Sequence, residues 1–240
     1  MTSARMNRRA ALGLAGGTAL ALASSGALAR GAKAPQAWDR TVDVLVVGSG
    51  FAGLAAAIEA RTEGADVLCI EKMSIIGGNS ILSGGGLASP GNDLQVAAGI
   101  KDSPELLLAD MLKSGGGLAN VECAKVVAYG ALDAYRWAKD FLGVKFDRLG
   151  YQGGHSVARS ACYMNGNGAN MVGPMAKKAK EIGVAVETRT RLVNLVTDEK
   201  GAVIGAELGT TSSRKRIPAP GCSFAPAEAS WWRAAVFRRT

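Results

Sequence analysis

The chain has a single histidine, His155, in 240 residues. That scarcity excludes histidine-rich metal centres and any site built on several imidazoles. The four cysteines, Cys69, Cys123, Cys162 and Cys222, are widely spaced. They supply neither the CxxC of a metal or redox site nor the CxxCH that attaches haem covalently. Cys69 lies inside an apolar run and reads as a buried, inert thiol. Basic charge is missing from where a nucleic acid would need it. The formal net charge is +8, yet residues 1–40 carry six Arg/Lys against one acid and residues 209–240 again six against one. The stretch 41–208 carries sixteen against eighteen, about −2. A body without a basic face is not expected to bind DNA or RNA.

Hydrophobic residues make up 48% of the chain and glycines number 32, a composition suited to a globular α/β protein. The first residues read as an address. Met6-Asn7-Arg8-Arg9 precedes an uncharged Ala-, Gly- and Leu-rich run over 10–29. It ends in Ala27-Leu28-Ala29, a small-x-small cleavage pattern, with Ala32-Lys33-Ala34 as a second candidate. The competing reading is a membrane-spanning helix. The Gly and Ser content makes the run weakly apolar, and Arg30 and Lys33 are a thin stop-transfer signal. A cleaved signal peptide over 1–34 is therefore expected. The arginine pair points to the twin-arginine route and a periplasmic location.

A nucleotide-binding unit follows. Residues 41–47 are nearly all apolar after Asp43, as a strand covered on both faces should be. Gly48-Ser49-Gly50-Phe51-Ala52-Gly53 then leads into a helical run over 54–61, Gly64 closes it, and residues 65–70 form a second apolar strand ending at Glu71. Gly48 permits the tight turn, Gly50 lets the backbone approach a pyrophosphate, and Gly53 lets the helix pack on the strand. The helix N-terminus offers free N–H groups and partial positive charge. Glu71 stands where a carboxylate can accept from ribose hydroxyls. The GxGxxG pattern alone is weak evidence. Strand, turn, helix, second strand and terminal acid in this order make a dinucleotide site the expectation. An NAD domain would continue soon into another helix and strand, whereas this chain enters a glycine-dense loop over 77–86. Main-chain amides there can approach a bulky flat ligand, which points to FAD.

The segments GSGFAGLAAAIEA, IEKMSIIGGNSILSGGG, DSPELLLADMLKSGG and GGHSVAR resemble the soluble fumarate reductase and flavocytochrome c flavoprotein family, across roughly residues 41–208. That family includes urocanate and methacrylate reductases and is related to succinate dehydrogenase flavoprotein. The resemblance implies a Rossmann-like FAD-binding domain of the glutathione-reductase type with a small β-meander. It implies that Gly48, Gly50, Ala52 and Gly53 meet the pyrophosphate and that Glu71 and Lys72 lie at the adenosine ribose. Gly77, Gly78, Asn79, Ser80, Gly84 and Gly85 line the flavin side, and Val193 meets adenine through its backbone. Several relatives attach FAD through a histidine in the glycine-rich loop. This loop has none, so noncovalent FAD is expected. The implied reaction is hydride transfer from flavin to an activated C=C bond of a small unsaturated carboxylate, with a cytochrome c as electron donor.

The remaining body reads as scaffold. Asp102-Ser103-Pro104-Glu105 starts a helix, with Ser103 as cap and Leu107, Leu108 and Met111 as its apolar face. A helix over 121–141, stopped at Gly143, carries Val126, Val127, Ala131, Leu132, Tyr135 and Ala138 at helical spacing. A third helix is expected over 171–182 and strands over 184–189, 192–197 and 202–208. His155 reads as a structural or pocket-lining group. Arg159 reads either as a partner for an anionic group or as an exposed or salt-bridged arginine. No catalytic residue is assigned. After Leu208 the family should continue with a strand, a Thr-Gly-Gly turn and a substrate-capping domain. Residues 209–240 instead run through Arg214-Lys215-Arg216-Ile217-Pro218 and Trp231-Trp232 without clear periodicity, like a shifted reading frame in GC-rich sequence. The expectation is a truncated product, which an alternative frame in the gene encoding the capping domain would support and its absence would contradict. An NAD-dependent dehydrogenase and a catalytically incomplete FAD-binding fragment stand as the competing readings.

Overall fold

Two runs of alternating buried side chains organise the protein. The computed structural model describes residues 37–210 and the backbone of 214–218; the segment 1–34 expected to be a signal peptide and the tail beyond 218 lie outside the described residues. Strand β1 (Val44–Val47), helix α1 (Phe51–Thr62) and strand β2 (Val67–Ile70) follow one another, and β1 pairs with β2 in parallel. In a strand successive side chains face opposite sides. Val44, Val46, Val67 and Cys69 accordingly enter one cluster with Leu54, Ala55, Ala57 and Ile58 of α1, while Leu45, Leu68 and Ile70 enter a second. Both faces of the sheet are thus covered, and each buried Leu or Ile contributes about 1.5–3 kcal/mol.

Between β2 and the third strand of this sheet lies a long excursion. It contains α2 (Gly78–Leu82), β3 (Leu87–Ala88), α3 (Asp93–Ala97), α4 (Pro104–Ser114), α5 (Val121–Arg136), β4 (Arg148–Gly150), β5 (Ser160–Cys162) and α6 (Ala169–Glu181). Strand β6 (Ala185–Glu187) then pairs in parallel with β2, so the order is β1-β2-β6 with β2 central. Met171, Val172, Met175 and Ala179 of α6 pack beside α1 on the same face. The other face is closed by the antiparallel β7 (Thr190–Thr197), β8 (Val203–Thr210) and β9 (Arg214–Pro218), with Ala206 and Leu208 against Leu45, Leu68 and Ile70.

This is the expected α/β architecture with its meander, and most differences are local. Part of the loop over 77–86 winds into α2, entered through Gly77 at φ +103°. A small antiparallel sheet, β3-β5-β4, has no counterpart in the sequence reading, because strands of two or three residues show no periodicity. Helix α4 starts as expected: the Ser103 hydroxyl accepts from Leu106 N–H and Pro104 occupies the first turn. Helix α5 buries Ala124, Ala128, Ala131 and Tyr135, and the chain continues through a π-turn that buries Ala138. Val126 and Val127 are half exposed, contrary to the expected core face. The buried stripe is the small-residue one, which lets α5 sit close on Leu107 of α4. The meander runs past 208, since residues 214–218 add β9. An edge strand needs only backbone pairing, and charged residues there are the usual guard against further pairing. Among the described residues no helix is long and apolar enough to cross a membrane.

Candidate functional site

The carboxyl edge of the parallel sheet carries the glycine turn. Gly48 sits at φ +96° and donates its N–H to the Ile70 carbonyl at 2.7 Å, tying the turn to β2. A Cβ placed on Gly53 would stand 1.8 Å from the Gly48 carbonyl oxygen, so no side chain fits where α1 crosses the turn. A Cβ on Gly48 would meet nothing within 4 Å, which leaves open space beside the turn. The first turn of α1 holds no acidic residue. Phe51 N–H donates to Ser80 Oγ at 3.0 Å. The N–H groups of Ala52 and Gly53 have no intrahelical acceptor by position, and Ala52 is exposed. The exposed Ala52 backbone and the positive end of the helix dipole therefore face the open side, the requirement for binding an anion.

Glu71 ends β2 as expected, but its carboxylate is first of all a fastener for the turn. It is 5% exposed. Its Oε2 accepts from Ser49 N–H at 3.0 Å and from the Ser49 hydroxyl at 2.6 Å, and its Oε1 accepts from Met73 N–H at 2.8 Å. Burial pushes its pKa up. The Ser49 hydroxyl, the two N–H donors and the Lys72 charge outweigh this and hold the carboxyl below its ordinary value. Lys72 itself is exposed. Burial, with the Glu71 charge beside it, pushes the Cys69 thiol up to about 12, so it is an inert core residue.

The loop after β2 docks at both ends. Gly77 N–H donates to the Ser49 hydroxyl at 3.0 Å and to the Ser49 carbonyl at 3.1 Å. A Cβ on Gly77 would press on Val172 at 3.0 Å, and one on Gly50 would lie 3.1 Å from Ser80 Oγ. At the far end Gly168 N–H donates to Ser83 O at 2.7 Å. A Cβ on Gly168 would overlap Ser80 O at 1.7 Å, and one on Gly85 would reach the Asn167 backbone at 2.9 Å. Gly78 and Gly84 have open space at the Cβ position, and Asn79 and Gly84 are exposed. Met73, Ile75 and Leu82 leave apolar surface uncovered on the same loop. Val193 is the extra residue of a β7 bulge, between Leu192 opposite Leu208 and Asn194 opposite Glu207. A bulge residue is left out of the ladder, which frees its backbone groups.

These features fit a dinucleotide: N–H donors at an open helix end, a carboxylate at the neighbouring strand end, a bulged strand, and a glycine-lined loop with apolar flanks. The sequence pattern of the FAD-binding domain family matches residues 43–225. The chain belongs to that family. Its cofactor is FAD. The chain is 41% identical over 172 residues to the acrylate reductase flavoprotein subunit of Shewanella woodyi, covering 71% of this chain and 34% of that protein. It is 38% identical over 167 residues to a fumarate reductase (cytochrome) of Shewanella frigidimarina, covering 69% and 29%. The chain thus spans about a third of the length of the curated relatives it matches. The open conformation of a flavocytochrome c3 fumarate reductase superposes with a TM-score of 0.72 at 32% identity, over 75% of this chain and 32% of that one.

Three features of the FAD-binding domain have contacts that the sequence pattern does not show. Ser49 stands inside the glycine turn with no role assigned from sequence. Gly168 carried one signal, its place among glycines just before α6. The third is an ionic cluster. Arg159 is fully buried; its Nε and Nη2 donate to Asp102 at 2.8 and 3.0 Å and its Nη1 to Asp110 at 2.6 Å. Of the readings left open for Arg159, the salt-bridged one holds. Ser156 donates both its N–H, at 2.8 Å, and its hydroxyl to Asp110, which fastens the loop carrying His155 to α4. Burial raises the Asp110 pKa, but Ser156 and Arg159 bring it down to about 2. Burial and the Arg159 charge lower the His155 pKa, outweighing the opposite pull of Asp110 and Asp102, and its buried Nδ1 has no hydrogen-bond partner among the described residues.

Proposed function

We propose that this chain forms the FAD-holding part of a flavoprotein reductase that saturates an activated C=C bond in a small unsaturated carboxylate. The reading rests chiefly on the open start of α1 beside the Ser49–Glu71 contact, with support from the acrylate and fumarate reductases among its relatives. Ala52 and Gly53 N–H groups would hold the pyrophosphate. Glu71 retains one acceptor position for a ribose hydroxyl beyond the three donors it already accepts, and Lys72 lies at its rim. Asn79, Ser80, Gly84 and Gly85 would line the flavin side, and the Val193 backbone would meet adenine. Bound there, FAD supplies the hydride. The loop over 77–86 holds no histidine, so attachment is noncovalent. The cytochrome named for the Shewanella frigidimarina relative supports a cytochrome c electron donor. The arginine pair and apolar run before residue 34 support export to the periplasm by the twin-arginine route.

The test is purification of the 240-residue chain, a visible spectrum, and turnover assays with reduced viologen against acrylate, fumarate and urocanate. Flavin absorbance released by acid, together with turnover of one of these, supports the proposal. Flavin absorbance without turnover supports the second reading, an FAD-binding fragment lacking catalysis; the span of about a third of the relatives' length is what favours it. Absence of flavin binding overturns both.

A further inference from the structure

Three segments distant in sequence meet at one fully buried side chain. Ser49 is 0% exposed. Its hydroxyl lies 2.6 Å from Glu71 Oε2 and 3.0 Å from Gly77 N. The proton inventory leaves no choice: Gly77 N–H is a donor, so the hydroxyl accepts from it and spends its own proton on the carboxylate. The Ser49 N–H adds a second bond to the same carboxylate oxygen, and the Ser49 carbonyl adds a second bond to Gly77. One residue thus ties the β1–α1 turn to the end of β2 and to the start of α2.

We propose that Ser49 is a positioning residue for the cofactor, holding the phosphate turn, the Glu71 carboxylate and the Gly77 entry to α2 in their binding arrangement before FAD arrives. The inference rests on the reading of this site as the FAD site and adds to it a residue that makes no expected contact with the cofactor. A side chain with no exposure cannot reach a ligand; it acts through Glu71 and Gly77. A prebuilt turn lowers the ordering cost of binding. The hydroxyl also keeps Glu71 ionised in a buried position, where the nearby ionisable groups among the described residues are Lys72, whose charge helps, and the Cys69 thiol, which stays protonated.

The test compares the parent chain with Ser49→Ala by FAD titration from pH 4 to 8, with hydrogen exchange of the cofactor-free parent alongside. Ser49→Ala should weaken FAD binding about tenfold at pH 7.5, the scale of a hydrogen bond to a charged group. The pH profile separates positioning from general destabilisation. In the parent, affinity should stay level down to the ordinary carboxylate value of 4.5. In Ser49→Ala, which loses the strongest donor to Glu71, the decline should begin at higher pH. Equal affinities within twofold and superimposable profiles overturn the proposal. Hydrogen exchange keeps it testable if the variant fails to fold or if the parent binds no FAD. A Gly77 amide protected about a hundredfold in the cofactor-free parent supports a prebuilt turn, and exchange at the rate of an open loop overturns it.

Discussion

Glu71 and Asp110 are both buried acids that take the N–H and the hydroxyl of one serine, Ser49 in the first case and Ser156 in the second. Beyond the serine they part. Asp110 also meets Arg159, whose guanidinium is shared with Asp102 and wholly enclosed. Glu71 has only a further backbone N–H, from Met73, and forms no ion pair among the described residues. The Asp110 cluster sets its carboxylates against a guanidinium enclosed in the protein and is closed. The Glu71 site leaves an ionised carboxylate with one acceptor position to spare next to an open helix end. The same serine–carboxylate device therefore serves a structural fastener in one region and, in the proposed function, a preset binding edge in the other, and the presence of a buried cation is what separates them.

The largest expected effect sharpens the structural side. Arg159→Met leaves Asp102 and Asp110 buried without a cation and should cost about 3–5 kcal/mol. Urea unfolding measures it, and a loss under about 1 kcal/mol would remove the contrast. Next, Gly53→Ala forces a methyl into the Gly48 carbonyl. It should cost about 1–3 kcal/mol of stability and weaken FAD binding at least about tenfold; thermal unfolding and flavin titration read the two, and parent-like FAD affinity would sink the assignment of the turn. Acid titration comes third. Both acids have folded pKa values below their ordinary ones, so their stabilisation is complete above those values and is lost as pH falls. For Asp110 the window runs from the ordinary 3.8 down through about 2. Ser156→Ala removes the hydroxyl donor to Asp110 and keeps the backbone one; it should move the acid-unfolding limb to higher pH, whereas a limb identical to the parent's would show that the hydroxyl does not set it. Smallest is Lys72→Ala: the exposed amine should change stability by less than about 1 kcal/mol and FAD affinity by about two- to threefold, and a larger loss would mean that the binding edge has a cation of its own.

Much of the nucleotide unit was legible because local constraints stack there. Val44–Val47 and Val67–Ile70 are short apolar runs bounded by turn residues, and Gly48, Gly50 and Gly53 between them stand at the spacing of a strand-to-helix turn. The Ser103-Pro104 start of α4 was equally direct, since a cap is a contact within four residues. The burial of α5 was not. Val126 and Val127 are more apolar than Ala124 and Ala128, yet the alanines face inward. Side-chain hydrophobicity ranks residues, whereas close helix packing selects for small volume, and sequence does not say which partner will approach.

The site divides in the same way. Sequence by itself determined the fold class, the FAD-type turn and the presence of an acid at the end of β2, because each follows from periodicity or from contacts a few residues apart. The tertiary structure alone decided what that acid touches. Ser49 and Glu71 are 22 residues apart, Ser49 and Gly77 are 28, and Arg159 meets Asp102 and Asp110 across 57 and 49. Hydrogen bonds across such separations leave no period or spacing in the chain. They exist only once β1 and β2 are paired and the loop over 77–86 has closed on α1 and α6, and that closure is set by packing of the whole domain.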